Sequence, residues 1–298
     1  MPIAPANAAG IELCYETHGD PDGVPLLFVM GLGAQLQAWD LDLLQAFVDR
    51  GYYAIRYDNR DVGLSTKPAV GDVNVGERIM AAFGGQSIEA PYLLRDMADD
   101  AVSLLDHLGI ESAHVVGASM GGMISQTIAI EHPTRIRSLT SIMSTTGDPD
   151  VGQPNPEILP ILLAAPPASR DEAIANGIEA SRAIGSPEHF DEDRARVQSE
   201  VAYDRCHHPA GVGHQLLAIV ASGSRSEGLA ALDLPTLVIH GDVDPLVNVS
   251  GGRRTAEVVP GAELLVLEGM GHDSPPYYWP QMIEAVVALT SRVPASAE

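Results

Sequence analysis

Residues 113–130 constrain this chain more than any other stretch. Ala113-His114-Val115-Val116 is a short apolar run with β-branched residues, the pattern of a strand. Gly117-Ala118-Ser119-Met120-Gly121-Gly122 follows. Met123 to Ile130 then reads as a helix that must stop near His132-Pro133. A strand that turns this quickly into a helix packs the helix back on its own sheet, which calls for an α/β layer structure. Similar runs lie on either side. Pro25–Met30, Tyr52–Tyr57, Leu139–Met143, Pro235–Ile239 and Ala262–Leu267 are largely apolar, as expected of parallel strands covered on both faces. Between them, Met97, Ala101, Leu104, Leu105 and Leu108 mark one face of a helix closed by Gly109. A last helix is predicted over about Trp279 to Ser291.

The alternation breaks from about Gly147 to Gly228, where helical stretches and prolines occur without a convincing strand. At 298 residues the length suggests two domains, but a sheet domain with one insertion accounts for the pattern better. The expected organisation is a doubly wound, mostly parallel α/β sheet formed by residues 1–146 and 229–298, with a helical cap at 147–228. Within the cap, Arg170–Ile184 reads as helix, and Ile158, Ile161, Leu162 and Leu163 form an apolar stretch suited either to a substrate or to packing on the core. The glycine-rich stretch from Lys67 to Ala90 is read as a loop.

Gly117–Gly121 matches G-x-S-x-G in the strand-to-helix setting that gives the pattern chemical meaning. The turn brings the backbone close to itself at both glycines and holds Ser119 at the sheet's carboxyl edge, at the positive end of a helix. A serine hydroxyl needs a base to take its proton. His272, in Glu268-Gly269-Met270-Gly271-His272 after the last strand, is the candidate. An imidazole base in turn needs a carboxylate to fix its tautomer. Asp244 in His240-Gly241-Asp242-Val243-Asp244-Pro245 fits that role. Asp242 is its rival in the same loop, with a turn-holding role expected, and Asp148 is a more distant alternative. Tyr277, Tyr278 and Trp279 pack the last helix or line the pocket.

Forty acidic against 17 basic residues give a net charge of −23, which argues against a nucleic-acid partner and against docking on anionic lipid. No apolar run approaches the roughly 20 residues of a membrane span. The first twenty residues carry no signal-peptide pattern, and two cysteines, Cys14 and Cys206, are too few for a disulfide framework, so the expected setting is cytoplasmic. Cys206-His207-His208 lacks a second pair of ligands at metal-binding spacing, and no metal or cofactor is expected.

At these motifs the sequence resembles the α/β-hydrolase superfamily over nearly its whole length. Tyr57-Asp58-Asn59-Arg60-Asp61-Val62-Gly63-Leu64-Ser65 is similar to that family's D-x-R-x-x-G-x-S loop. Met30-Gly31-Leu32 stands where most relatives have His-Gly, a feature shared with the aclacinomycin methylesterase-like group, which the chain resembles most. The resemblance implies the backbone amides of Leu32 and Met120 as an oxyanion hole, and an ester hydrolase with no cofactor and a small-molecule ester as its partner. The same residues would also serve perhydrolysis, lactone opening or carbon–carbon bond hydrolysis, and a non-catalytic ligand receptor on this fold is the reading from another class.

Overall fold

The computed structural model describes residues 1–71, 73–162 and 164–293. Eight strands form one sheet: β1 (Ile3–Ala4), β2 (Leu13–His18), β3 (Val24–Val29), β4 (Tyr52–Tyr57), β5 (Ala113–Ala118), β6 (Ile136–Ile142), β7 (Thr236–Gly241) and β8 (Glu263–Leu267). Their spatial order is β1-β2-β4-β3-β5-β6-β7-β8. The pairs β1–β2 and β2–β4 are antiparallel, and every pair from β4 to β8 is parallel. The helices are α1 (Leu41–Val48), α2 (Val75–Phe83), α3 (Leu94–His107), α4 (Met120–Glu131), α5 (Leu159–Leu162), α6 (Arg170–Ile184), α7 (Glu192–Arg205), α8 (Pro209–Ser222), α9 (Ser226–Ala230), α10 (Ser250–Val258) and α11 (Trp279–Thr290).

The central strands are apolar because both faces are covered. Along β3, Leu27 and Val29 join a core with Met97, Leu104, Leu105, Ile124 and Ile128 of α3 and α4. The alternate residues Leu26 and Phe28 join a second core with Leu44 and Phe47 of α1 and Met282 and Val286 of α11. The period of two along a strand thus feeds two separate cores, one on each side. Each predicted strand is present, with ends displaced by a few residues. β5 runs on through Gly117 to Ala118, so the turn is confined to Ser119.

The expected loop at 67–90 is corrected by the structure, which places α2 within it. Asn74 caps that helix, its side chain accepting from the amide of Glu77 at 3.1 Å. Between β6 and β7 the described residues hold five helices and no strand. α6 pairs with α7, whereas α8 lies against α2 and α3, and α9 against α4 and α10. Leu163, part of the expected apolar stretch, lies outside the described residues. Among those residues no helix is long and apolar enough to cross a membrane.

The D-x-R-x-x-G-x-S loop after β4 braces the core. Asp58 accepts from the amides of Leu36 at 2.7 Å and Leu64 at 2.8 Å and pairs with Arg205 of α7 at 2.7 Å. Arg60 grips Asp100 of α3 bidentately, at 2.6 and 2.8 Å, with the two side chains only 6% and 2% exposed. Removing one partner strands a buried charge, so Asp100→Ala should cost about 3–5 kcal/mol of stability. Denaturant unfolding measures this; a loss below about 1 kcal/mol, the value of a surface pair, would contradict it.

Candidate active site

β3 lies between β4 and β5, so the chain's connections diverge on either side of it. In open α/β sheets the crevice outside the carboxyl ends of such strands is where ligands bind. Here the loop from Met30 follows β3 and the turn at Ser119 follows β5. Ser119 takes φ 57° and ψ −122°, a backbone region that L-residues seldom occupy. Two close approaches hold it there. A Cβ at Gly121 would collide with the carbonyl of Val29, and one at Gly117 with the carbonyl of Gly121. The Ser119 amide donates to Ile142 O at 2.9 Å, tying the turn to β6.

The structure brings Ser119, His272 and Asp244 into one chain of contacts. His272 Nε2 lies 2.9 Å from Ser119 Oγ, and His272 Nδ1 lies 2.7 Å from Asp244 Oδ2. The Asp244 side chain is wholly buried and that of His272 nearly so. Burial acts to raise the Asp244 carboxyl, but His272, His240 and the Val247 amide outweigh it and hold it down at about 2. The amides of Leu246 and Val247 both donate to Asp244 Oδ1, at 2.9 and 2.8 Å.

The competing carboxylates sit elsewhere. Asp242 accepts from the Gly269 amide at 2.7 Å and so joins the loop after β7 to the loop after β8. Asp148 is engaged by Ser224, Ser226 and Arg254. Histidines of the helical segment between β6 and β7 are also occupied. His207 stacks on Tyr203, while His208 and His214 face Asp61 at 3.4 and 3.1 Å. Cys14 and Cys206 are free. No group of three or more His, Cys, Asp or Glu side chains suited to a metal ion occurs among the described residues.

A cavity of about 650 Å³ opens onto Ser119 and His272. Its walls include Trp39, Ile142 and Met143 from the sheet domain, with Ile158, Ile161, Ile184 and Phe190 from the helical segment. Its cation Arg194 pairs with Asp40 at 2.8 Å and lies over the ring of Trp279 at 5.6 Å. The aromatic trio divides. Tyr278 is buried in the core, its hydroxyl donating to Glu268 O at 2.9 Å, whereas Tyr277 and Trp279 line the cavity.

Leu32 lines the cavity, and Met120 is the first residue of α4. Its amide belongs to a first helical turn, whose N–H groups find no acceptor within the helix. Gly31 between β3 and Leu32 lies so close to Ser119 that a Cβ there would sit 3.0 Å from the serine Cβ. The loop is held by side chains that the sequence reading did not single out. Gln215 of α8 accepts from the Gly33 amide at 2.8 Å and donates to Arg60 O at 2.8 Å. Asn59 donates to Met30 O at 2.8 Å. His240, near the end of β7, is fully buried, with Nε2 2.7 Å from Val247 O and 3.5 Å from Asp244. No local spacing announces these roles, since Gly33 and Gln215 are 182 residues apart.

Comparison with known proteins matches residues 24–276 to the family model described as the alpha/beta hydrolase fold. Rhodomycin D methylesterase DauP of Streptomyces sp. (strain C5) is 28% identical, covering 97% of this chain and 98% of that protein. The 3-oxoadipate enol-lactonase 2 of Acinetobacter baylyi is 24% identical, covering 94% and 95%. Among solved structures, the meta-cleavage product hydrolase of Pseudomonas fluorescens IP01 superposes with a TM-score of 0.72 at 22% identity, covering 97% of this chain and 95% of that one.

Proposed function

The chain belongs to the alpha/beta hydrolase fold family, and on that premise we propose that it is a serine carboxylic-ester hydrolase. The observation that carries this reading is the pair of contacts at His272, 2.9 Å to Ser119 Oγ and 2.7 Å to Asp244 Oδ2, at the wall of an apolar cavity. In the proposed reaction His272 Nε2 takes the Ser119 proton as Oγ attacks the ester carbonyl. The amides of Leu32 and Met120 donate to the oxyanion that forms, each worth on the order of 3 kcal/mol. The tetrahedral intermediate collapses to an acyl-serine, and His272 returns the proton to the departing alcohol. Water, deprotonated by the same imidazole, then releases the acid. Asp244 stabilises the imidazolium throughout without taking its proton. No step calls on a metal or cofactor.

The substrate is proposed to be a small-molecule ester with an apolar acyl or alcohol group. Ile158, Ile161, Ile184 and Phe190 offer no charge, and Arg194 is already paired with Asp40. Residues 147–228 act in this reading as the cap that closes the cavity, on a core of residues 1–146 and 229–298. Similarity to an enol-lactonase favours a lactone, an internal ester, as a second substrate form. Two free thiols fit a reducing, cytoplasmic setting.

A panel of p-nitrophenyl esters with a fluorophosphonate probe tests the proposal. Turnover of at least one ester and labelling at Ser119 are expected; a chain that does neither is a silent binder. Measured from about pH 5 to about pH 9, the pH–rate profile on the best ester should lose rate toward acid along a single limb, because a histidine base must be neutral to take a proton. Asp244, held at about 2, is charged across that whole range and adds no second limb. A flat profile, or one with two limbs there, would remove His272 from the role of base.

A further inference from the structure

The loop that carries His272 is fastened to the helical segment by more than packing. The His272 amide donates to Ile184 O at 2.6 Å. Ile184 is the last residue of α6, so this bond satisfies a carbonyl that the helix itself leaves open. One residue earlier, the Gly271 amide donates to Ser186 Oγ at 3.0 Å. One residue later, Asp273 Oδ1 accepts from both the amide and the hydroxyl of Ser186, at 3.0 and 2.5 Å. Ser186 is fully buried. The two chains approach so closely that a Cβ on Gly271 would collide with the carbonyl of Gly185. Three consecutive residues, with His272 in the middle, are therefore gripped by the end of α6 and the two residues that follow it. That helix also supplies Ala180, Ser181 and Ile184 to the cavity wall.

We propose that Ser186 and Asp273 are positioning residues that mount the loop of His272 on the C-terminal end of α6, so that the helical segment holds the base against Ser119. The inference deepens the hydrolase reading and rests on it. A hydroxyl that accepts from Gly271 while donating to Asp273 fixes the loop from both sides, and an alanine there loosens both ends together. Displacement of a catalytic group by about 1 Å is enough to slow a reaction on the order of 10²-fold.

Asp273 also brings charge. His272 then faces three groups from three elements: Ser119 after β5, Asp244 after β7 and Asp273 on its own loop. The C-terminal carbonyl end of α6 adds further negative potential. Of the other charged groups at the cavity, Asp40 and Arg194 pair with each other, and Asp191 caps α7. Burial, aided by Asp244, leaves the Asp273 carboxyl above its ordinary value, with the Ser186 bonds and His272 offsetting only part of the rise. Ionised, Asp273 favours the imidazolium beside it, so its neutralisation should let the base lose its proton at lower pH.

The test is the rate constant for fluorophosphonate labelling of Ser119 from about pH 5 to about pH 9, which needs no knowledge of the substrate. Well below the unfolding midpoint almost all of each variant is folded, so a loss of global stability alone would leave this rate constant unmoved. Ser186→Ala should label ten- to a hundred-fold more slowly, roughly, at the plateau. Asp273→Asn keeps an acceptor for Ser186. It should label within about three-fold of the parent, with the midpoint of the acidic limb lowered by about half a pH unit. Should Ser186→Ala not fold, Asp273→Ala takes its place with the same slowing expected. Plateau rates equal to the parent's in Ser186→Ala or its substitute, or an unmoved midpoint in Asp273→Asn, overturn the inference. A parent protein that does not label at all overturns instead the hydrolase reading on which it stands.

Discussion

Ser119→Ala is expected to lower ester turnover by about 10⁶-fold, because the nucleophile and the acyl-serine vanish together. The fold should be untouched. Alanine occupies the same backbone geometry as serine, and neither the bond from the residue 119 amide to Ile142 O nor the close approaches at Gly117 and Gly121 use the Ser119 hydroxyl. The measurement is turnover by purified protein beside its thermal unfolding midpoint. Activity within tenfold of the parent would remove Ser119 from the reaction; an altered midpoint would mean that the substitution disturbs the turn itself.

The second large effect separates two aspartates that stand two residues apart in one loop. Asp244→Asn is expected to lower turnover by about 10⁴-fold, since an amide facing His272 Nδ1 favours the wrong tautomer. It also leaves His240 and the Leu246 and Val247 amides around a neutral group. Asp242→Asn keeps an acceptor for the Gly269 amide, so it should retain turnover and lose at most about 1 kcal/mol of stability as that bond gives up its charge. Steady-state rates and unfolding midpoints for the two variants decide the matter. Turnover lost at Asp242 and kept at Asp244 would exchange their roles.

Much of the architecture was legible because the central strands are apolar on both faces. Runs such as Tyr52–Tyr57 stand out from any background, and Arg170–Ile184 was readable to the residue. The antiparallel strand Leu13–His18 was not, since its outer part is half-exposed and carries Glu16 and His18. Nor was the exact extent of Glu192–Arg205, where only Ala195 is buried and no apolar stripe marks the helical period. That Ser119, Asp244 and His272 come together could be read from the sequence because each follows a strand, and strand ends converge in this kind of sheet. Their supports were not. Gln215, Ser186 and Asp273 act across distances in sequence that are set by which helix meets which loop, and a local motif carries no record of that. Asn74, in contrast, did offer a local signal in its spacing to Glu77, obscured by the glycines around it.

The left-handed turn at Ser119 bears on how such a chain changes over generations. A non-glycine residue in that region costs of order 1–3 kcal/mol. Selection for heat resistance alone, with no demand on turnover, would therefore drift at position 119 toward glycine, the one residue at ease there. Under the proposed reaction, serine persists at that position only through continued selection for catalysis, and a lineage released from it would become inert and more durable in the same substitution.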